Sequence, residues 1–243
     1  MIMMGSPVPK PKTIGNSHFQ AAGRVIAISI IVKKYTKEEE KFNAISHFIG
    51  IIIGCAVGVI FLGKATQYGD SLTIFSVVLY ILGTLSSYVF STSYHACSPD
   101  RALKQRLRKF DHAAIYWHIA GCYSPITLVA LRDSGYWGWG LFIFVWLCAI
   151  AGTIISLRKL KPHNRVETVC FVLMGMVVLV AFKPLLEAVP FCVVGWIIAE
   201  GVCYVAGAVL YSFHKVKHMH SVFHIFVLLG TICHMVAVWK IIG

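Results

Sequence analysis

The sequence predicts an all-α, polytopic membrane protein: a seven-transmembrane helix bundle with its N-terminus in the cytosol. Three observations predict it. Hydrophobic residues make up 58% of the 243 positions, charged residues only 13%, and mean hydropathy is +0.75, which is more apolar surface than a soluble core can hide. The apolar residues gather into seven runs long enough to cross a bilayer. The basic residues fall in alternate loops. A soluble globular domain is excluded, and so is intrinsic disorder, which requires low hydrophobicity.

Residues 1–34 form an N-terminal extension with Pro7, Pro9 and Pro11, expected to be a flexible tail. Its apolar stretch Val25–Val32 is too short to span; a signal peptide is the alternative reading, but it lacks a convincing small-residue cleavage site before Lys33 and Lys34. From Tyr35 onward a single membrane domain, 35–243, carries spans expected at about 44–63, 72–95, 111–131, 137–157, 166–182, 191–213 and 220–239. Barrel strands are a poor alternative, because these runs lack period-two alternation and exceed a strand's length. The eight cysteines are scattered singly without a CxxC, and are read as small apolar residues.

Orientation follows from the loops. The arm before residue 44 carries seven basic residues, among them Lys33, Lys34, Lys37 and Lys41. The second loop adds Arg101, Lys104, Arg106, Arg108 and Lys109, the fourth Arg158, Lys159, Lys161 and Arg165, and the sixth Lys215 and Lys217. Eighteen of 22 therefore lie on one side, and only Lys64, Arg132, Lys183 and Lys240 on the other. The positive-inside rule puts the N-terminus in the cytosol and the C-terminus outside, opposite to a rhodopsin-like receptor. The net charge of +12 is thereby explained without nucleic acid.

Polar residues inside apolar spans are costly and call for partners. Ser91 and His95 stand at i, i+4 on one face at the end of span two. Taken alone, they suit a helix back-bond and an interfacial imidazole. Asp111 opens span three, where by itself it is read as an N-cap. His220 and His224 form an HxxxH at the start of span seven, the spacing that presents two imidazoles to one divalent cation. With 11 His in the chain an accidental HxxxH is unsurprising, and His214 with His218 make another. Glu39, Asn43 and His47 repeat every four residues entering span one, as caps or interfacial hydrogen-bonders would.

The orientation places the end of span two and the starts of spans three and seven at the same cytosolic depth. His95, Asp111, His220 and His224 can then meet. Three neutral imidazoles with an open fourth position are the ligand set of a catalytic rather than a structural zinc site, and a nearby carboxylate suits the handling of water.

These residues carry a resemblance. ExxxNxxxH (Glu39, Asn43, His47), SxxxH (Ser91, His95), FDHAAIYWHIAGCYSPI with Asp111, and HSVFHIFVLLGTICH with His220 and His224 are similar to the ordered motifs of the hemolysin III family. That family is related to the progestin and adipoQ receptors and the wider CREST group of membrane hydrolases. The match runs from about Tyr35 to the C-terminus, and the tail 1–34 has no counterpart in it. The resemblance implies a seven-helix bundle with a cytosolic N-terminus, a Zn²⁺ ion held by His95, His220 and His224, and Asp111 and Ser91 beside the site. It sets His214 and His218 outside the motif.

His118 lies seven residues beyond Asp111, nearly on the same face and about 10 Å deeper, and is read as a packing or hydrogen-bonding residue. His234, ten residues after His224, turns away from the site, and Glu200 is read as a bundle-facing hydrogen-bonder. The expected function is a zinc-dependent hydrolase of a membrane-dissolved lipid amide or ester. Ceramide is the analogue suggested by the adiponectin receptors. A receptor or sensor with structural zinc is the alternative; a lytic, hemolysin-like pore is a third reading. A metal transporter would need a second ligand station towards the outside, for which His234 is the one obvious candidate. A bacterial inner membrane is the expected location, with membrane lipid as environment and substrate.

Overall fold

The computed structural model describes residues 35–67, 70–99, 102–158, 165–213 and 216–243. The tail 1–34, His214 and the loop positions Arg101, Lys159, Lys161 and Lys215 lie outside the described residues. Every element among those described is helical: α1 (Lys37–Gln67), α2 (Ser71–Ala96), α3 (Ala102–Pro125), α4 (Trp137–Arg158), α5 (Arg165–Gly175), α6 (Phe182–Ala188), α7 (Phe191–Ser212) and α8 (Met219–Ile241). A π-helical turn, Ile126–Ala130, prolongs α3, and a 3₁₀ stretch, Met176–Ala181, joins α5 to α6.

Among the described residues, six segments are long and apolar enough to cross a membrane: α1, α2, α4, Val166–Ala188, α7 and α8. Their outward faces carry exposed side chains such as Ile52, Val59, Leu82, Leu147 and Val202, as lipid contact requires. The chain is a multi-pass membrane protein. The expected seventh run, 111–131, lies within α3 and its π-helical extension. α3 begins at Ala102, so Lys104, Arg106, Arg108, Lys109 and Asp111 occupy its early turns and lower its hydropathy. Its second half is covered by neighbours instead of lipid, with Ala113, Tyr116, His118 and the stretch 120–125 buried. Asp111 is therefore a mid-helix residue, and the N-cap reading is corrected: the helix has run about two and a half turns from Ala102 when it reaches Asp111.

Local chemistry accounts for the helix ends. Thr36 and Glu39 form a reciprocal capping box at the start of α1: the Glu39 amide donates to Thr36 Oγ1 at 3.2 Å, and the Thr36 amide to Glu39 Oε2 at 2.9 Å. Asp70 caps α2 by accepting from the Leu72 amide at 3.0 Å, and it also receives the Thr73 hydroxyl at 2.8 Å and pairs with Arg132. The Thr73 hydroxyl and the Arg132 guanidinium hold the Asp70 carboxyl down at a pKa of about 2.

The breaks also have causes. Pro125, which has no N–H to donate, precedes the π turn, where Leu131 N–H reaches back to Ile126 O at 2.9 Å. Between α5 and the 3₁₀ stretch, the Tyr123 hydroxyl from α3 donates to Gly175 O and accepts from the Val178 amide, both at 2.8 Å. A side chain inserted into the ladder satisfies the backbone groups that the broken helix leaves open.

Close backbone approach organises the inner helices. α2 and α3 cross at Gly83 and Gly121, where a Cβ on Gly83 would collide with the Trp117 carbonyl oxygen and one on Gly121 would lie 2.9 Å from Leu79 O. Small residues at helix crossings are the usual means of tight packing in membranes. The resulting core includes Val77, Tyr80 and Val238 in one layer and Tyr116, Tyr123 and Val145 in another.

Candidate metal centre

The end of α2 and the first turns of α8 meet beside the start of α1. His95, from α2, is 3% exposed and His224, from α8, 1%. The Nε2 atoms of His95 and His220 are 3.2 Å apart, those of His220 and His224 3.1 Å, and one nitrogen from each of the three lies within 4.8 Å of the others.

Neighbouring residues define which imidazole nitrogens carry protons. His95 Nδ1 lies 2.7 Å from Glu40 Oε2, and a carboxylate can only accept there, so Nδ1 carries the hydrogen and Nε2 a lone pair. Ser46 Oγ donates to the Asn43 carbonyl at 2.9 Å, so at 3.3 Å from His224 Nδ1 it acts as acceptor. His224 Nε2 is bare for the same reason. Two lone pairs thus converge on His220 Nε2, which has one site and can satisfy at most one of them. This orphaned arrangement suits a shared cation: tetrahedral ligands at zinc–nitrogen length stand about 3.3 Å apart. The three residues fit a zinc-type ion.

The surroundings hold these rings in place. Glu40 Oε1 accepts from Lys104 Nζ at 2.6 Å, and Lys104 also donates to Cys97 O at 3.1 Å. His47 stacks on His224 with centroids 3.7 Å apart, and Tyr35 stacks on His220 at 4.9 Å. The face Glu39–Asn43–His47 fastens α1 to the start of α8. Glu39 Oε1 accepts from the His218 amide at 2.9 Å, Asn43 Oδ1 from Ser221 Oγ at 2.7 Å, and His47 provides the stack. His218, at φ 63°, is the left-handed residue that starts α8, so Glu39 secures the turn on which His220 depends.

Ser91, Asp111, His220 and His224 line one cavity, which continues past His118 and Cys122 to Glu200. Asp111 lies close enough to Tyr94 and Tyr211 to interact with them electrostatically. Its neighbour His112 bonds Glu167 at 3.0 Å, and Ser156 also donates to that carboxylate. His118 Nε2 meets Tyr204 Oη at 3.1 Å, and His234 bonds Glu200 at 2.7 Å, away from the three-histidine cluster.

The structure thus brings together all three expected ligands and places Ser91 and Asp111 on the cavity they face. Sequence reasoning missed Glu40, Lys104 and Ser46. Glu40 is hidden in a run of three glutamates that reads as a helix-dipole cluster. Its partner is 55 residues away, and no local spacing signals it.

The Haemolysin-III related family profile matches residues 35–235. The chain is 32% identical over 194 residues to Hemolysin-3 of Bacillus cereus, covering 80% of this chain and 87% of that protein. It is 30% identical over 197 residues to the Hemolysin-3 homolog of Bacillus subtilis (strain 168), covering 81% and 91%. The chain belongs to the haemolysin-III related family.

Proposed function

We propose that this protein is a zinc-dependent hydrolase of a membrane-dissolved lipid amide or ester, with a ceramide-like amide as the best analogue. In this reading α3 is the seventh span, the N-terminus is cytosolic, the membrane is a bacterial inner membrane, and His95, His220 and His224 hold Zn²⁺ near the inner leaflet. One observation carries the reading: imidazole lone pairs converge at the wall of a cavity that Asp111 and Ser91 also line.

A bound zinc ion supplies Lewis acidity, polarising a carbonyl and acidifying water. Asp111 accepts the proton of the attacking water and returns it to the departing amine or alkoxide. Ser91 donates a hydrogen bond to the oxygen on which negative charge develops. Glu40 and Ser46 keep the imidazoles of His95 and His224 in the metal-binding tautomer. The cavity's apolar wall, with Ile115, Phe171 and Val227, receives the hydrocarbon part of the substrate.

The test is lipid amide and ester turnover by purified, zinc-loaded wild type and Asp111→Asn. Wild type is expected to hydrolyse substrate, and the variant to retain zinc but lose activity by about 10²- to 10⁴-fold. Equal activity would remove Asp111 from the mechanism. Turnover by neither would favour a receptor with structural zinc. The name of the Bacillus relatives favours a further reading, membrane lysis. Liposome leakage that persists after His95→Ala, His220→Ala and His224→Ala would support lysis independent of the metal centre.

A further inference from the structure

A second cluster of metal-ligand type lies deeper in the bundle, where α3, α7 and α8 meet. Cys122 is 4% exposed, Glu200 8% and His234 0%. One donor atom from each, a thiol sulfur, a carboxylate oxygen and an imidazole nitrogen, lies within 4.8 Å of the other two. The helix rise from His224 to His234 puts this cluster about 15 Å from the first. The same cavity reaches Cys122 and Glu200.

Two features argue for a ligand rather than a packed polar pair. Ionisable groups within membrane helices are expensive and are kept where they do something. His234 Nδ1 is taken by Glu200 Oε2 at 2.7 Å, and the neighbour left to this fully buried ring is the Cys122 thiol, with no oxygen or nitrogen partner on Nε2. The carboxylate therefore holds the proton on Nδ1 and leaves Nε2 as a bare donor, the relation that Glu40 bears to His95. A buried imidazole nitrogen whose neighbour is a free thiol, only a weak donor, is better satisfied by a cation that takes the nitrogen and the thiolate together. Sulfur with nitrogen, backed by a carboxylate on the far side of the imidazole, selects borderline-soft divalent ions of the zinc and cadmium type over magnesium or calcium.

We propose that Cys122 and His234 hold a second transition-metal ion, with Glu200 fixing the His234 tautomer from behind the ring, independent of the three-histidine cluster and of any hydrolytic activity there.

The experiment titrates the purified full-length chain with Cd²⁺, following bound metal by elemental analysis and the cadmium–thiolate charge-transfer band in the ultraviolet. Wild type is expected to bind two equivalents. A chain carrying His95→Ala, His220→Ala and His224→Ala keeps one equivalent together with the band. Adding Cys122→Ser abolishes the band, and adding His234→Asn weakens binding at least tenfold. The proposal is overturned if the three-histidine variant binds no Cd²⁺, or if its band survives Cys122→Ser. Should that variant not fold, Cys122→Ser alone decides: loss of one of two equivalents supports the site, and unchanged stoichiometry and band refute it.

Discussion

Glu40 stands at 2.7 Å from Nδ1 of His95, a carboxylate from the first turn of α1 against an imidazole from the last turn of α2. Lys104, 2.6 Å from the other oxygen, holds that carboxylate in place. Three helices thus cooperate to aim one ring nitrogen.

Glu40→Gln should therefore weaken zinc binding by about 10- to 100-fold, the usual effect of removing an outer carboxylate from a ligating histidine. Competition with a chelator of known affinity measures it. Thermal stability of the metal-free protein should also fall, because an amide that accepts from His95 turns its NH2 towards the buried Lys104 ammonium, so affinities are compared below both melting temperatures. Unchanged affinity would show that the Glu40 contact is merely a helix-to-helix tie.

The helix crossing at Gly83 gives a packing prediction. Gly83→Ala drives a methyl into the Trp117 carbonyl and should destabilise the protein by about 1–3 kcal/mol or more, since backbone must move. Gly63→Ala, whose new methyl meets nothing within 4 Å, should be neutral or stabilising by about 0.5–1 kcal/mol. Thermal melts of both variants in one detergent make the comparison. Equal effects would mean that α2 and α3 do not touch there.

A third prediction concerns pH. Asp70 has its folded-state pKa depressed to about 2 by Thr73 and Arg132, below the ordinary value of about 3.9. The depressed value means that its contribution is complete above the unfolded pKa and disappears as pH falls through the folded one. Wild type should thus lose its advantage over Asp70→Asn between about pH 4 and pH 2, and the difference should be flat from pH 5 to 7. Melting temperatures of the two proteins across that range test the sign. A difference that grows on acidification would reverse it.

Tyr123 yields the fourth. Tyr123→Phe strips partners from Gly175 O and Val178 N–H where the helix breaks, and should cost about 1–3 kcal/mol. Hydrogen exchange should rise first at Val178. If exchange there is unaltered, water or a backbone rearrangement satisfies the break without the tyrosine.

Composition and hydropathy alone determined that the chain is helical and membrane-embedded, because lipid leaves a backbone few ways to satisfy its polar groups. They also located α2, α4, α7 and α8 to within two residues, while α1 starts seven residues before the expected span, the segment Val166–Ala188 runs six residues past it with a 3₁₀ break, and α3 differs most. Its charged early turns look like loop, and its buried half needs less apolar surface because neighbouring helices cover it. His220 and His224 were legible because i, i+4 spacing is a local geometric fact. The loop charges and the resemblance brought His95 to the same depth as that pair, whereas the carboxylate of Glu40 and the grouping of Cys122 with Glu200 and His234 were decided only by tertiary structure. Helix packing sets which residues from distant stretches of chain come within hydrogen-bond reach. That outcome depends on crossings such as Gly83 against Gly121, for which no local pattern in the sequence has a counterpart.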